Sequence, residues 1–351
     1  MRVFCDIIRF NEHCHSVWGK GLVLIITAKP SALVTKKSIL ITIAAILLII
    51  AMFSFVADLN DLKSALFQMD FYVLPLILLM APYSWMTRYF KWRLLLKHTD
   101  VVVPEPQGLL TYLSGFSLSI TPGKLGELLK CYLLQRQFQI SYTKTIPLVP
   151  IERIADGSAM TLLVLICYSA YSGYGKIPFA ISTALLLAAL VIIQIRPLCL
   201  RLLKQLSKIR FLQKYARDMI EIYENLRKVC KPGTFILLVA LALVSWALEG
   251  MVLFFGMLSL GYPVTIMQAI FIVNFATLIG AISMLPGGLF TAEASIMGIL
   301  VLSQIPDNIA VAATLISRIC TLWFGVFIGV ICYYFIRIRY LSKRADNNER
   351  V

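Results

Sequence analysis

Charge is what this chain has least of. Only 15% of its 351 residues are Asp, Glu, Lys or Arg, against about 25% in a soluble domain. Hydrophobic residues make up 59%, and the mean hydropathy is +0.82. So little charge cannot cover a water-facing surface, which excludes a soluble globular enzyme and predicts an integral membrane protein. Acidic residues are scarcer still, 18 against 33 Lys and Arg, for a net charge of +15. That excess would fit nucleic acid, but the basic residues fall between apolar spans, as in cytoplasmic loops drawn to anionic headgroups. No nucleic-acid partner is expected.

Metal and nucleophile motifs are missing too. Cys5, His13, Cys14 and His15 are crowded together without zinc-ligand spacing, so no metal site is predicted. The eight cysteines are scattered singly. Cys131, Cys167, Cys199, Cys320 and Cys332 lie in or beside apolar segments and read as small buried hydrophobes. There is no His-Glu-x-x-His, no Gly-x-Ser-x-Gly and no nucleotide-binding loop. No cofactor and no catalytic residue is expected.

What the chain does have is apolar runs, which predict an all-α polytopic protein. Residues 1–37 form a basic leader, cytoplasmic or interfacial, without a convincing cleavage signal. Spans follow at Ser38–Val56, Phe71–Tyr89, Thr145–Tyr171, Ile177–Ile195, Gly233–Leu260 and Ile309–Ile336. The second is closed by Arg88, Lys91, Arg93 and Lys97. Residues 196–232 are basic with recurring apolar positions, as in amphipathic helices on the cytoplasmic surface. Residues 339–351 are a basic tail.

Two further apolar stretches are broken by Pro-Gly: Ser114–Arg136, around Pro122 and Gly123, and Phe275–Leu302, around Pro286, Gly287 and Gly288. At about 1.5 Å per residue, no arm of either crosses a hydrocarbon core of about 30 Å. Each reads as a re-entrant helical hairpin, with Lys130, Arg136 and Lys144 on the exit side of the first. With the N-terminus inside, every basic cluster is then cytoplasmic, whereas forcing either stretch across puts a basic block outside. The prediction is a cell-membrane protein with six spans, two hairpins and cytoplasmic termini, residues 38–338 forming one domain.

The halves, about 71–171 and 233–336, echo each other. Pro122 and Pro286 are 164 apart, Glu127 and Glu293 166, Arg153 and Arg318 165; Tyr83-Ser84-Trp85 and Val244-Ser245-Trp246 repeat weakly at 161. The second span runs inward and the fifth outward, so the repeat is expected to be inverted, as in many secondary transporters.

Ionisable groups within spans cost about 2.5–3.5 kcal/mol each unless they find partners or a wet cavity. Arg153 can pair with Asp156 three residues on, and Glu152 shares a helix face with Asp156. Arg318 has no local acid, so Glu127, Glu249, Glu293 or a ligand must meet it through the fold. Two readings stand: an ion-pair network locking the halves together, or a site for an anionic group. The hairpins favour the second, since each Pro-Gly turn puts a half-helix N-terminus inside the membrane, where free N–H groups favour a phosphate. Lys124 beside the first turn would add charge. Gly123, Gly126, Gly287 and Gly288 allow a tight turn and close approach, or simply close helix packing.

At RYFKWRLLLK, SGFSLSITPGKLGELLK, IERIADGSAM, MLPGGLFTAEASIMG and SRICTLWFG, from Arg88 to Gly325, the chain resembles the flippase-like integral-membrane family. This is the lysylphosphatidylglycerol synthase transmembrane region, the N-terminal flippase part of the multiple peptide resistance factor. The resemblance implies movement of an aminoacylated phospholipid or a polyprenyl-phosphate-linked sugar between leaflets. It carries over Lys124, Glu127, Glu152, Arg153, Asp156, Glu293 and Arg318 as pathway residues; Glu249 joins them as an acid within a span. Expected partners are the anionic lipid, the surrounding membrane lipids, and a lipid synthase or glycosyltransferase. Only Leu341–Val351 follow the last span, so no aminoacyl-transfer domain is expected. The second hairpin departs from the family pattern in reading PGGLFTAE, where a glycine would be expected at or near Phe290. An intramembrane enzyme acting on lipid phosphate and a non-transporting accessory subunit of a cell-envelope synthase are the alternatives.

Overall fold

The computed structural model describes residues 59–120, 126–168, 232–283 and 285–341, with a few isolated positions between 184 and 205. The chain divides into two compact units, one of Met1–Leu47 and Ala188–Val229, the other of Leu48–Leu187 and Cys230–Val351. Every element below belongs to the second. The leader, the Ser38–Val56 span, Pro122, Gly123, Lys124 and nearly all of the Ile177–Ile195 span and the 196–232 linker lie outside the described residues.

The described residues are helical, with no strand among them. In order they form α1 (Leu59–Phe67), α2 (Leu74–Lys97), α3 (Glu105–Ser114), α4 (Gly126–Phe138), α5 (Leu148–Cys167), α6 (Pro232–Ser259), α7 (Ile266–Ile282), α8 (Thr291–Leu302), α9 (Asp307–Arg318) and α10 (Phe324–Ile336). A π-helical turn, Ile319–Trp323, joins α9 to α10. Two stretches, Gly233–Ser259 and Asp307–Arg339, are long and apolar enough to cross a membrane.

Hydrophobicity is turned outward as well as inward. Ile236, Phe327 and Tyr334 are 60–70% exposed, and Ile166, Leu79 and Val244 also face out. Lys91, Glu152, Asp156 and Glu293 are almost wholly buried. A large exposed apolar surface around a charged interior is what a lipid solvent produces.

α2 and α6 pack along their length and run antiparallel. The Asp70 N–H before α2 donates to Ser259 O at 2.8 Å at the end of α6. Midway, Arg88 meets Glu249. At the far end, His98 Nε2 lies 2.9 Å from Thr234 Oγ1. The Ser-Trp echoes therefore sit near the crossing of the two helices. Ile77, Val252, Ile316 and Cys320 form a core cluster joining α2, α6 and α9. On the other flank, Leu129 and Leu133 of α4 meet Ile336 of α10.

Each broken stretch has a helical arm on either side of its Pro-Gly, and the first arms are longer than the apolar runs predict. The first arm begins at Glu105 and ends in a 3-10 turn, Gly115–Leu118. It lies against α4, where Gln137 Nε2 donates to Thr111 Oγ1 at 3.0 Å. The second begins at Ile266, nine residues before Phe275, because Thr265 and Gln268 form a reciprocal capping box, a start signal legible in the sequence. Its arms fold together through small residues: a Cβ on Gly280 would lie 3.2 Å from that of Ala292, and Ser283 Oγ is 3.0 Å from Thr291 Oγ1. At the tip Gly287 and Gly288 have φ of +62° and +66°, a region glycine enters without penalty. Phe290, where the family pattern leads one to expect glycine, has φ +70°.

Candidate functional site

α2, α3, α5, α6, the second hairpin tip and the π-helical turn enclose a cavity of about 120 Å³. Its described lining includes Arg88, Arg153 and Arg318, with Glu249 as the lining carboxylate. Trp85, Tyr112, Phe116 and Trp246 form its aromatic wall. The π turn widens the helix after Arg318 and brings Thr321 and Leu322 to the lining; such bulges recur at functional sites.

Each arginine is held differently. Arg318 Nε donates to Glu293 Oε1 at 2.6 Å, and its NH2 group donates to Gly287 O at 3.2 Å, tying α9 to both the hairpin tip and the first turn of α8. Of the acids the sequence offers to Arg318, Glu293 supplies the carboxylate. Glu293 is only 1% exposed, and its Oε2 has no hydrogen-bond partner. Arg153 pairs with Asp156 at 3.0 Å, three residues on as its spacing predicts, and lies 3.7 Å from Glu152. Its side chain, 32% exposed, is the most open of the three guanidiniums. Arg88 donates to Glu249 Oε1 at 2.5 Å and lies over the Trp246 ring, 4.2 Å from its centroid, a cation–π geometry.

Behind Arg153 lies a second layer of charge. Lys91 donates to Asp156 Oδ1, and Lys130 donates to Glu152 Oε2 at 3.1 Å, all four side chains being buried. Lys130 also sits 4.8 Å from the Tyr112 ring centroid. Burying such groups is tolerable only when they are paired and hydrogen-bonded.

Three sequence expectations are corrected here. Arg88 and Lys91 do not close a span at the cytoplasmic edge: α2 continues through them to Lys97 and turns both inward. Lys130 is not an exit-side surface charge but a buried partner of Glu152. The hairpin arms start at Glu105 and Ile266, upstream of the broken runs. Of the expected pathway residues, Arg153, Glu249 and Arg318 line the cavity, joined by the turn residue Gly287, while Glu152, Asp156 and Glu293 stand behind it as partners. Pro286 and Gly288 complete the second tip. Gly126 and Glu127 begin α4, and the side chain of Glu127 lies outside the described set.

Arg88, Lys91, Lys130, Trp85 and Trp246 are the site residues missed by sequence reasoning. A signal for Arg88 was present: it precedes Glu249 by 161 residues, the offset that separates Trp85 from Trp246. The Arg88–Glu249 pair thus joins equivalent positions of the two halves.

The tip of the second hairpin reaches the end of the first arm. A Cβ on Gly287 would meet Ile120 Cα at 3.4 Å and Ser119 O at 3.5 Å. Gly325 leaves room for the Trp85 ring, and a Cβ there would lie 3.4 Å from its Cζ2.

Comparison with known proteins agrees with a membrane protein. A UPF0104 membrane protein of Methanocaldococcus jannaschii is 29% identical over 235 residues, covering 67% of this chain and 99% of its own length. A UPF0104 membrane protein of Methanothermobacter thermautotrophicus is 32% identical over 96 residues, 26% of this chain and 29% of that protein. The family described as the lysylphosphatidylglycerol synthase TM region matches residues 40–329, and the chain belongs to it.

Proposed function

We propose that this protein moves an anionic lipid between the leaflets of the cell membrane, its headgroup passing through the arginine-lined cavity while the acyl chains stay in lipid. One observation carries the reading: three guanidiniums from three separate elements converge on one cavity inside a membrane protein. Intramembrane ionisable groups facing a cavity mark substrate pathways. The family, a lipid synthase's transmembrane region, points to the same substrate class. An aminoacylated phospholipid and a polyprenyl-phosphate-linked sugar both fall within it.

The mechanism follows from the pairing. A phosphate entering the cavity competes with Glu249 for Arg88 and with Asp156 for Arg153, so charge is exchanged between partners rather than exposed to lipid. The antiparallel run of α2 and α6, which are equivalent by the 161-residue offset, supports an inverted repeat with its axis near Trp85 and Trp246. The short hairpin arms, none longer than 17 residues, support re-entrant geometry. In this reading one half rocks against the other about that crossing, with both termini cytoplasmic. Energy would come from an ion gradient or from a partner, and Glu127 or Glu293 would be the proton carrier.

The test is leaflet assignment of labelled lipid in proteoliposomes. Arg153→Ala and Arg318→Ala, folded as judged by thermal unfolding, are expected to slow transbilayer movement at least tenfold. Unchanged movement in both would remove the mechanism. The buried Lys91–Asp156 and Lys130–Glu152 pairs favour a second reading, a non-transporting accessory subunit held rigid by its charges. Co-purification with a glycosyltransferase or lipid synthase, together with an alanine-tolerant cavity, would support it. Product formed from lipid without translocation would instead indicate an enzyme.

A further inference from the structure

The described lining of the cavity carries three guanidiniums and a single carboxylate. The guanidiniums present donors only. Its lining carboxylate, Glu249, already accepts from Arg88. Two N–H groups there are buried without an acceptor, the Nε of Arg88 itself and the indole Nε1 of Trp246, a residue only 3% exposed. A buried donor left unsatisfied is costly, and a ligand oxygen placed against it recovers that cost.

From this we infer that the cavity is a receptor for oxygen-rich anionic headgroups that carry no amine, and that it rejects cationic aminoacyl headgroups. The inference rests on the lipid-translocation reading and narrows its substrate. A phosphodiester with hydroxyl-bearing substituents brings acceptors to all four donor side chains: three guanidiniums, including the unpartnered Arg88 Nε–H, and the indole N–H of Trp246. An ammonium brings three donors and a positive charge. Among the described lining residues it would meet three guanidiniums and one carboxylate, Glu249, which Arg88 holds at 2.5 Å. In a low-dielectric cavity such repulsion is weakly screened. Of the other described acids at the site, Glu152, Asp156 and Glu293 stand behind the arginines as their partners and do not line the cavity.

The purified full chain in detergent would be titrated with three dioctanoyl lipids, binding being read from tryptophan fluorescence and from native mass spectrometry. The probes are phosphatidylglycerol, phosphatidylinositol and lysyl-phosphatidylglycerol. The two amine-free lipids are expected to bind at least tenfold more tightly than the lysyl lipid. Trp246→Phe, which keeps the ring and removes the N–H, is expected to weaken phosphatidylglycerol about fivefold, close to the value of one hydrogen bond. Glu249→Gln should widen the preference by removing the cavity's acceptor charge.

Equal or tighter binding of the lysyl lipid overturns the inference, and the wild-type ranking decides even where a variant fails to fold. The same lipids in proteoliposomes separate the two ideas. Preferential binding of phosphatidylglycerol without its movement upholds the receptor and removes translocation. Movement of the lysyl lipid in preference to the others upholds translocation and removes the receptor specificity.

Discussion

Lys91 shows how much a single residue depends on its surroundings here. It is fully buried in α2 and donates to Asp156, which also meets Arg153 at 3.0 Å. Removing one member of such a pair leaves an uncompensated charge, at a cost of about 3–5 kcal/mol, whereas replacing both with apolar groups is often neutral. Lys91→Met is therefore expected to lower stability by about 3–5 kcal/mol. The double variant Lys91→Met with Asp156→Leu should recover much of that loss in the same denaturation assay. A double variant no more stable than the single would show that Asp156 is needed chiefly by Arg153. Glu293→Gln is the matching test in the second half: it leaves Arg318 with Gly287 O but without its carboxylate. A loss of about 3 kcal/mol is expected, read by thermal unfolding in detergent.

At the level of elements, close approach is set by glycine. A Cβ on Gly329 of α10 would lie 2.4 Å from Ser117 N and 2.9 Å from Phe116 C, so α10 rests directly on the backbone of the first hairpin arm. Gly329→Ala must part the two, and a loss of about 1–3 kcal/mol is expected, as for other overpacked sites. An unchanged unfolding midpoint would mean that the arm yields freely. Gly250 of α6 allows an equally close approach to α7, where a Cβ would lie 2.6 Å from Ile270 Cα.

The offsets that relate the two stretches of sequence do not carry the buried charges over. By the offsets that pair Trp85 with Trp246, Glu127 with Glu293 and Arg153 with Arg318, the positions of Lys91, Lys130, Glu152 and Asp156 correspond to Val252, Ile296, Ser317 and Thr321. The buried Lys91–Asp156 and Lys130–Glu152 pairs thus have no charged counterpart at the offset positions. Arg318 is held instead by one carboxylate and one backbone carbonyl.

For the whole molecule, the antiparallel α2–α6 pair sets which ends share a side. Asp70 lies with Ser259, and His98 with Thr234. In a background lacking other cysteines, Thr99→Cys and Gly233→Cys are expected to react with an impermeant thiol reagent from one side of the membrane. Tyr72→Cys and Tyr262→Cys should react from the other. Labelling of all four from a single side would contradict a membrane crossing by α2 and α6.

The class of this protein was legible from composition, because lipid solvent demands apolar length and tolerates little charge. The helical arms on either side of each Pro-Gly and the Arg153–Asp156 pair were legible as well, since each depends on spacing within a few residues. The hairpin starts were within reach through the Thr265–Gln268 capping box. Tertiary structure alone decided the partners: Arg88 with Glu249, 161 residues away, and Lys91 with Asp156, 65 away. Hydropathy along the chain averages neighbours, so a basic residue ending an apolar run looks like the rim of a membrane span. Whether it faces lipid headgroups or a buried acid depends on which helix packs beside it. That choice is what turned the basic end of α2 into the wall of a cavity.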